Sequence, residues 1–190
     1  KIITMAKGKS KGKGGGATKS VSERSYDLAA KNPEYLGDGF GYDAKTINAY
    51  TQEGYNVNTS IMDNTLDAQD KAFIKNLDLA LSKLPTATEQ TLYRGVNLPN
   101  AVFNDLKVGG VVEFKAFTST TADKKVVSRF IPSIRPKDDT PTIFNITSHK
   151  NGKDVGKFAE YKEEKEILFK RGTKWKITSI NGNEVNIQEI

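Results

Sequence analysis

The chain has 190 residues, enough for one globular domain with a substantial core. It contains no cysteine, which excludes disulfides, thiolate metal sites and cysteine nucleophiles. The formal net charge is +6, but six lysines and no acidic residue fall within Lys1 to Lys19 and the remainder is nearly balanced, so the charge is weak support for a nucleic-acid partner.

The opening Lys1-Ile-Ile-Thr-Met5 has neither the continuous apolar stretch nor the cleavage site of a signal peptide, and a longer parent protein is expected. Residues 7–16 are Gly and Lys with one Ser and cannot bury apolar surface; residues 1–20 are expected to be a flexible basic linker, or else an arm on an anionic surface. The folded domain is then 21–190. A short helix is expected over Ser22–Ala30, ended by Pro33 and the glycines at 37, 39 and 41. Tyr42–Thr51 places Ile47 and Tyr50 on one helical face. Asp67–Leu84 repeats Phe73, Ile74, Leu77, Leu81 and Leu84 at the spacing of an amphipathic helix. No apolar run approaches the roughly 18 to 20 residues of a membrane span.

After Pro85 the period changes. Thr91–Val96, Val111–Ala116, Thr142–Thr147, Glu164–Phe169, Lys174–Ile180 and Glu184–Ile190 are short β-branched or alternating segments, and Asn181-Gly182-Asn183 suits a hairpin turn between the last two. Ala122–Ile131 looks helical. Helices in one half and strands in the other predict an α+β domain. Trp175, within a late strand, is expected to pack in the sheet, and His149, the only histidine, is expected on a surface turn and gives no metal site.

Three segments of the strand-rich half carry unusual chemistry. In Thr91-Leu-Tyr-Arg94-Gly95 a permanent bidentate cation stands beside a glycine whose backbone a ligand can approach, which suits a diphosphate; a solvated strand-end arginine has the same sequence. Phe117-Thr118-Ser119-Thr120-Thr121 lines up hydroxyls that can hold a neighbouring side chain, although hydroxyl-rich strands are common. In Tyr161-Lys-Glu163-Glu164-Lys165-Glu166, a strand beginning near Glu164 would put Glu164 and Glu166 on one side, about 6 to 7 Å apart. Paired carboxylates suit chemistry at an anomeric carbon, one stabilising an oxocarbenium-like transition state and the other handling the nucleophile; a charged solvent edge is the alternative.

In this order, the arginine, the Ser-Thr-Thr and the Glu-x-Glu resemble the signature of the arginine-specific, toxin-like mono-ADP-ribosyltransferases, over roughly residues 40–190. Tyr161, Phe130 and the segment Tyr50 to Asn58 also resemble that family, including the enzymatic components of binary actin-modifying toxins and phage-associated transferases. The resemblance implies a helical half packed on a two-sheet β-sandwich with a central NAD cleft. NAD is then the co-substrate, with no metal. It implies Glu166, Glu164 and Ser119 as catalytic, and Arg94, Gly95, Tyr50, Thr120 and Phe130 as NAD-binding. Ser119 would hold Glu166, Glu164 would position the acceptor guanidinium, and Tyr161 would recognise the target. The implied partners are NAD and a protein with an acceptor arginine. Actin is one such target, though Gly95 and Ala116 depart from the residues that actin-modifying members often carry. Either Arg129 or Arg135 could assist Arg94. A delivery or fusion domain N-terminal to the chain, and secretion or delivery into a target cell, are further expectations. Three other readings stay open: an NAD glycohydrolase, a DNA-modifying transferase on the same fold, and a non-catalytic virion or binding module.

Overall fold

In the computed structural model, which describes residues 2–5, 40–131 and 135–190, the helical half consists of α1 (Phe40–Asp63) and α2 (Ala68–Lys83). The helix expected over Ser22–Ala30 lies outside the described residues. The sequence sets the ends of α2 locally. The Asp67 carboxylate accepts from the Asp70 N–H at 2.7 Å, filling the N-cap role. Leu84 turns extended because the following Pro85 disfavours helical backbone before it. α1 runs twelve residues past Thr51, through Gly54. An interior glycine costs a helix about 1 kcal/mol, and here burial outweighs it. Ala44, Ile47, Tyr50, Val57 and Ile61 on one face of α1 pack with Ile74, Leu77 and Leu81 of α2.

The strands are β1 (Ile2–Met5), β2 (Leu92–Pro99), β3 (Val111–Phe114), β4 (Thr118–Thr121), β5 (Asp139–Ser148), β6 (Lys153–Asp154), β7 (Glu166–Phe169), β8 (Thr173–Asn181) and β9 (Glu184–Glu189). A five-residue helix α3 (Asn100–Asn104) follows β2. The expected two-sheet sandwich is built from one continuous hydrogen-bonded order of nine strands, β1-β3-β8-β9-β5-β2-β4-β7-β6. The break is nearly there, since β2 and β4 meet in register only at Tyr93 and Thr121, whereas all of β2 pairs with Asp139–Ile146 of β5. Ile167 and Phe169 of β7 share a core with Leu92, Phe144, Ile146, Trp175 and Val185 from the other side of that junction. The sandwich is therefore one sheet folded over its narrowest pairing.

Trp175 is fully buried, its ring 4.9 Å from Phe169 and edge-on to it. On the other face of β7, Leu168 joins Ala116, Phe117, Val155 and Phe158 against the helices. Alternation along β7 thus sends one set of side chains between the sheet halves and the other toward α1.

Several expectations need correction. Residues 2–5, assigned to a linker, form β1 and pair in parallel with Val111–Phe114; the rest of the 1–20 segment lies outside the described residues. Ala122–Ile131 is not an α-helix but a loop ending in a 3-10 turn, Val127–Phe130. The Thr121 hydroxyl accepts from the Asp123 N–H, and the Asp123 carboxylate accepts from the Lys125 N–H, so local side-chain bonds hold the start of the segment in turns. His149 is partly buried, with its ring edge-on to Phe169 and Nε2 2.8 Å from the Glu89 carbonyl oxygen. No helix among the described residues is long and apolar enough to cross a membrane.

Candidate active site

Strand β4 lies between β2 and β7, so three chemically distinct strands meet at the fold in the sheet. Ser119 pairs with Leu168 and Thr121 with Glu166. Residues paired across an antiparallel ladder share a face, so Ser119, Thr121 and Glu166 all face the helical side. Thr120 is on the opposite face. It is buried and its hydroxyl donates to the Ile167 carbonyl at 2.7 Å, stitching β4 to β7, so it is not brought to the cluster.

Arg94 reaches the cluster from β2. Its Nη1 donates to the Ser119 carbonyl at 2.8 Å, and its guanidinium carbon sits 5.1 Å from the centre of the Phe114 ring. Its Nε is buried and has no partner. Burial lowers the Arg94 pKa, while the fields of Tyr50 and Glu166 act to raise it. An arginine seldom loses its proton in a protein, so the site holds a fixed cation with an unused donor.

Glu166 opens β7 and is 7% exposed. Burial pushes its carboxyl up to about 7; a hydrogen bond from Ser119 opposes this, the Glu164 carboxylate adds to it, and Arg94 opposes it. The Ser119 hydroxyl also lies 3.5 Å from the Tyr50 hydroxyl. Tyr50 enters the site from beneath. It is buried and packs edge-on against Phe117, and its phenol is raised to about 12 by burial first and by Glu166 second.

Glu164 does not lie on the strand. It ends a 3-10 turn, Lys162–Glu164, and Lys165 adopts a left-handed conformation with φ 44° before β7 starts at Glu166. The two glutamates are therefore related by a turn and not by a pleat. Two bonds clamp that turn to β4: the Thr121 hydroxyl donates to the Glu164 carbonyl at 2.6 Å, and the Ala122 N–H donates to the Lys165 carbonyl at 3.3 Å. Burial raises the Glu164 pKa and so does Glu163, while Arg129 lowers it. Arg129 thus acts electrostatically on Glu164, and Arg135 is exposed.

The remaining expected residues flank this cluster. Gly95 is needed for close packing: a Cβ there would stand 2.7 Å from both the Ile131 side chain and the Val127 carbonyl, so the glycine lets the 127–131 segment lie directly on β2. Phe130 ends the 3-10 turn of that segment and is partly buried. Tyr161, 40% exposed, heads the turn that carries Glu164. Two residues of the segment Tyr50 to Asn58 were given no role of their own by the sequence. Asn58 donates to the Tyr50 hydroxyl at 3.0 Å and to the Phe117 carbonyl at 3.1 Å. Gly54 leaves the space that the Tyr50 ring occupies, since a Cβ would come within 2.7 to 2.9 Å of it. The signal was present, because positions 50, 54 and 58 fall at successive four-residue steps along one helix face. Among the described residues no cluster of His, Asp or Glu could hold a metal ion.

A buried carboxylate with a raised pKa, on the same sheet face as a hydroxyl and near a permanent cation and a second carboxylate, can stabilise positive charge developing on a bound anionic ligand. Comparison with known proteins agrees in class. Residues 18–189 match the family of ADP-ribosyltransferase exoenzymes, and the chain belongs to that family. Mav of Mycobacterium avium (strain 104), which bears the name "Putative NAD(+)–arginine ADP-ribosyltransferase", is 36% identical over 140 residues, which is 72% of this chain and 16% of Mav. Vis of Vibrio splendidus (strain 12B01), named for the same activity, is 30% identical over 115 residues, 60% of this chain and 46% of Vis. The chain spans less than half the length of either relative. The solved structure of Vis in complex with agmatine shares the fold, with a TM-score of 0.71 at 20% identity, covering 92% of this chain and 88% of that one.

Proposed function

We propose that this domain transfers ADP-ribose from NAD to an arginine side chain of a target protein and releases nicotinamide. The observation that carries this reading is the convergence of Glu166, Ser119 and Arg94 at the fold of the sheet, with Glu164 close enough to act on Glu166 electrostatically. The buried, partnerless Nε of Arg94 is a donor suited to the diphosphate of NAD.

In this reading Arg94 holds the diphosphate, and the Glu166 carboxylate accepts a hydrogen bond from the nicotinamide-ribose 2′-hydroxyl. Its negative charge stabilises the oxocarbenium-like transition state as the bond from C1′ to the nicotinamide nitrogen breaks and its electron pair leaves with nicotinamide. Glu164, raised on its clamped turn, orients the acceptor guanidinium and takes the proton lost as the guanidinium nitrogen bonds to C1′. Tyr161, exposed on the same turn, meets the target beside its arginine. Two relatives named for arginine modification support the choice of acceptor. Their greater length supports a longer parent protein, and delivery of the domain into a target cell as a toxin belongs to the same proposal.

The test is nicotinamide release from NAD by the purified chain. Turnover that falls at least about 100-fold in Glu166→Ala is expected, the scale for a group stabilising transition-state charge. No turnover by the wild-type chain, or undiminished turnover in the variant, refutes the assignment.

A further inference from the structure

The segment that carries Glu164 leaves the sheet after β6 and returns to it at β7. Its base is closed by a backbone bond from the Val155 N–H to the Glu166 carbonyl at 3.1 Å. Its later end is pinned by β4, through Thr121 and Ala122. Its earlier end is pinned by α1. There the Asn48 side-chain nitrogen donates to the Phe158 carbonyl at 2.6 Å, and the Glu160 N–H donates to the Thr51 hydroxyl at 3.4 Å. Tyr161, Lys162 and Glu163, all exposed, span the gap between the two pins.

Asn48 is chemically out of place where it stands. It is fully buried on the face of α1 that carries Ala44 and Ile47, and it meets a segment whose Val155 and Phe158 side chains belong to the same apolar core. An apolar side chain would fill such a position without desolvating a polar group, whereas an amide there must find partners. Both ends of this one do. The Phe158 carbonyl only accepts, so the amide nitrogen faces it, and the amide oxygen accepts from Gln52 Nε2 at 2.7 Å, one turn further along α1. Turning the amide over would set acceptor against acceptor and donor against donor. What the amide holds is a loop carbonyl three residues before Tyr161 and six before Glu164.

Resting on the transferase reading above, we propose that Asn48 is a positioning residue for the acceptor, holding the Phe158 carbonyl so that the turn beyond it presents Tyr161 and Glu164 to the incoming arginine. The groups assigned to opening NAD are set by other bonds. Arg94 is tied to the Ser119 carbonyl, and Ser119 and Glu166 are placed by the ladder between β4 and β7. Loss of the Asn48 pin therefore loosens the acceptor side while the NAD side keeps its register.

The experiment gives the full chain NAD and the arginine analogue agmatine, and follows ADP-ribosyl-agmatine and free ADP-ribose in wild type, Asn48→Leu and Thr51→Val. In Asn48→Leu the ratio of conjugate to free ADP-ribose at low agmatine should fall by about 10-fold or more, chiefly through a higher KM for agmatine, while nicotinamide release without agmatine stays near the wild-type rate. Partial unfolding alone would lower both products together and leave the ratio and the KM unmoved. Thr51→Val keeps the branched shape at a half-buried position and removes the acceptor of the Glu160 N–H, so its ratio should fall in the same direction. It carries the prediction by itself should Asn48→Leu fail to fold. An unmoved ratio in the folded variant, or parallel loss of both products, overturns the positioning role. A wild-type chain that releases no nicotinamide sinks the transferase reading instead. Amide hydrogen exchange over residues 158–165 then still tests the pin, with faster exchange expected in Asn48→Leu and equal exchange overturning it.

Discussion

Replacing Glu166 by Gln should make the protein more stable at high pH and leave it little changed at low pH. The Glu166 carboxyl is raised from its ordinary 4.5 to about 7, chiefly because burial disfavours the charge. A carboxyl with a raised folded-state pKa binds its proton more tightly in the folded protein than in the unfolded one. Its contribution to stability is fully present below pH 4.5, declines as pH climbs, and is lost above about 7. At 1.36 kcal/mol per pH unit, the ionised carboxylate costs the fold on the order of 3 kcal/mol above pH 7. Glutamine has the same shape and no charge to desolvate. Its amide makes contacts of its own, but their contribution is the same at every pH, so the diagnostic quantity is how the stability gap between variant and wild type changes with pH. Urea unfolding at pH 4.5, 6 and 8 should show that gap moving in favour of Glu166→Gln by roughly 2 to 3 kcal/mol across the range. A gap that does not change with pH, or one that moves in favour of the wild type as pH rises, refutes the reasoning.

Three further substitutions probe the supports of the site. Gly54→Ala gains about 1 kcal/mol of helix propensity but drives a methyl to within 2.7 Å of the Tyr50 ring, so a net loss of about 1 to 2 kcal/mol and lower NAD turnover are expected; a more stable variant by thermal denaturation contradicts this. Thr121→Val removes the bond to the Glu164 carbonyl at 2.6 Å and should cost about 1 to 2 kcal/mol, with transfer to an arginine analogue reduced more than NAD hydrolysis; equal reduction argues against the clamp. Asp67→Ala deletes the cap of α2 and should cost about 1 kcal/mol in urea unfolding while nicotinamide release stays at the wild-type rate.

What the sequence made legible was local. Asp67 to Leu84 carries its own cap, period and proline stop, and α2 matches it to within a residue at either end. Arg94, Ser119 and Glu166 were legible as a set only through the order of their three motifs, which resembles a family signature, and the register across β4 brings them together. Glu164 was misplaced because its conformation is decided from a distance. Thr121, forty-three residues away, captures its carbonyl, and Lys165 takes a left-handed turn that a lysine rarely adopts without such support. The Ala122–Ile131 segment failed for a similar reason, since its helical composition competes with hydroxyl and carboxylate caps at Thr121 and Asp123. Residues 2–5 were hidden by the glycine and lysine run after them, although Ile2-Ile3-Thr4 has good strand propensity once β3 offers an edge. The folding of one sheet at Tyr93 and Thr121 is a tertiary outcome that no local pattern encodes.

In the proposed transfer two glutamates, set apart by a turn, divide the reaction between them. That division is tested most directly by incubating wild type and Glu164→Ala with NAD and agmatine, an arginine analogue, and weighing the products by mass spectrometry. ADP-ribosyl-agmatine from the wild type, with free ADP-ribose and nicotinamide but little conjugate from Glu164→Ala, is the predicted result. Conjugate formed equally well by both proteins, or free ADP-ribose alone from the wild type, would contradict the account.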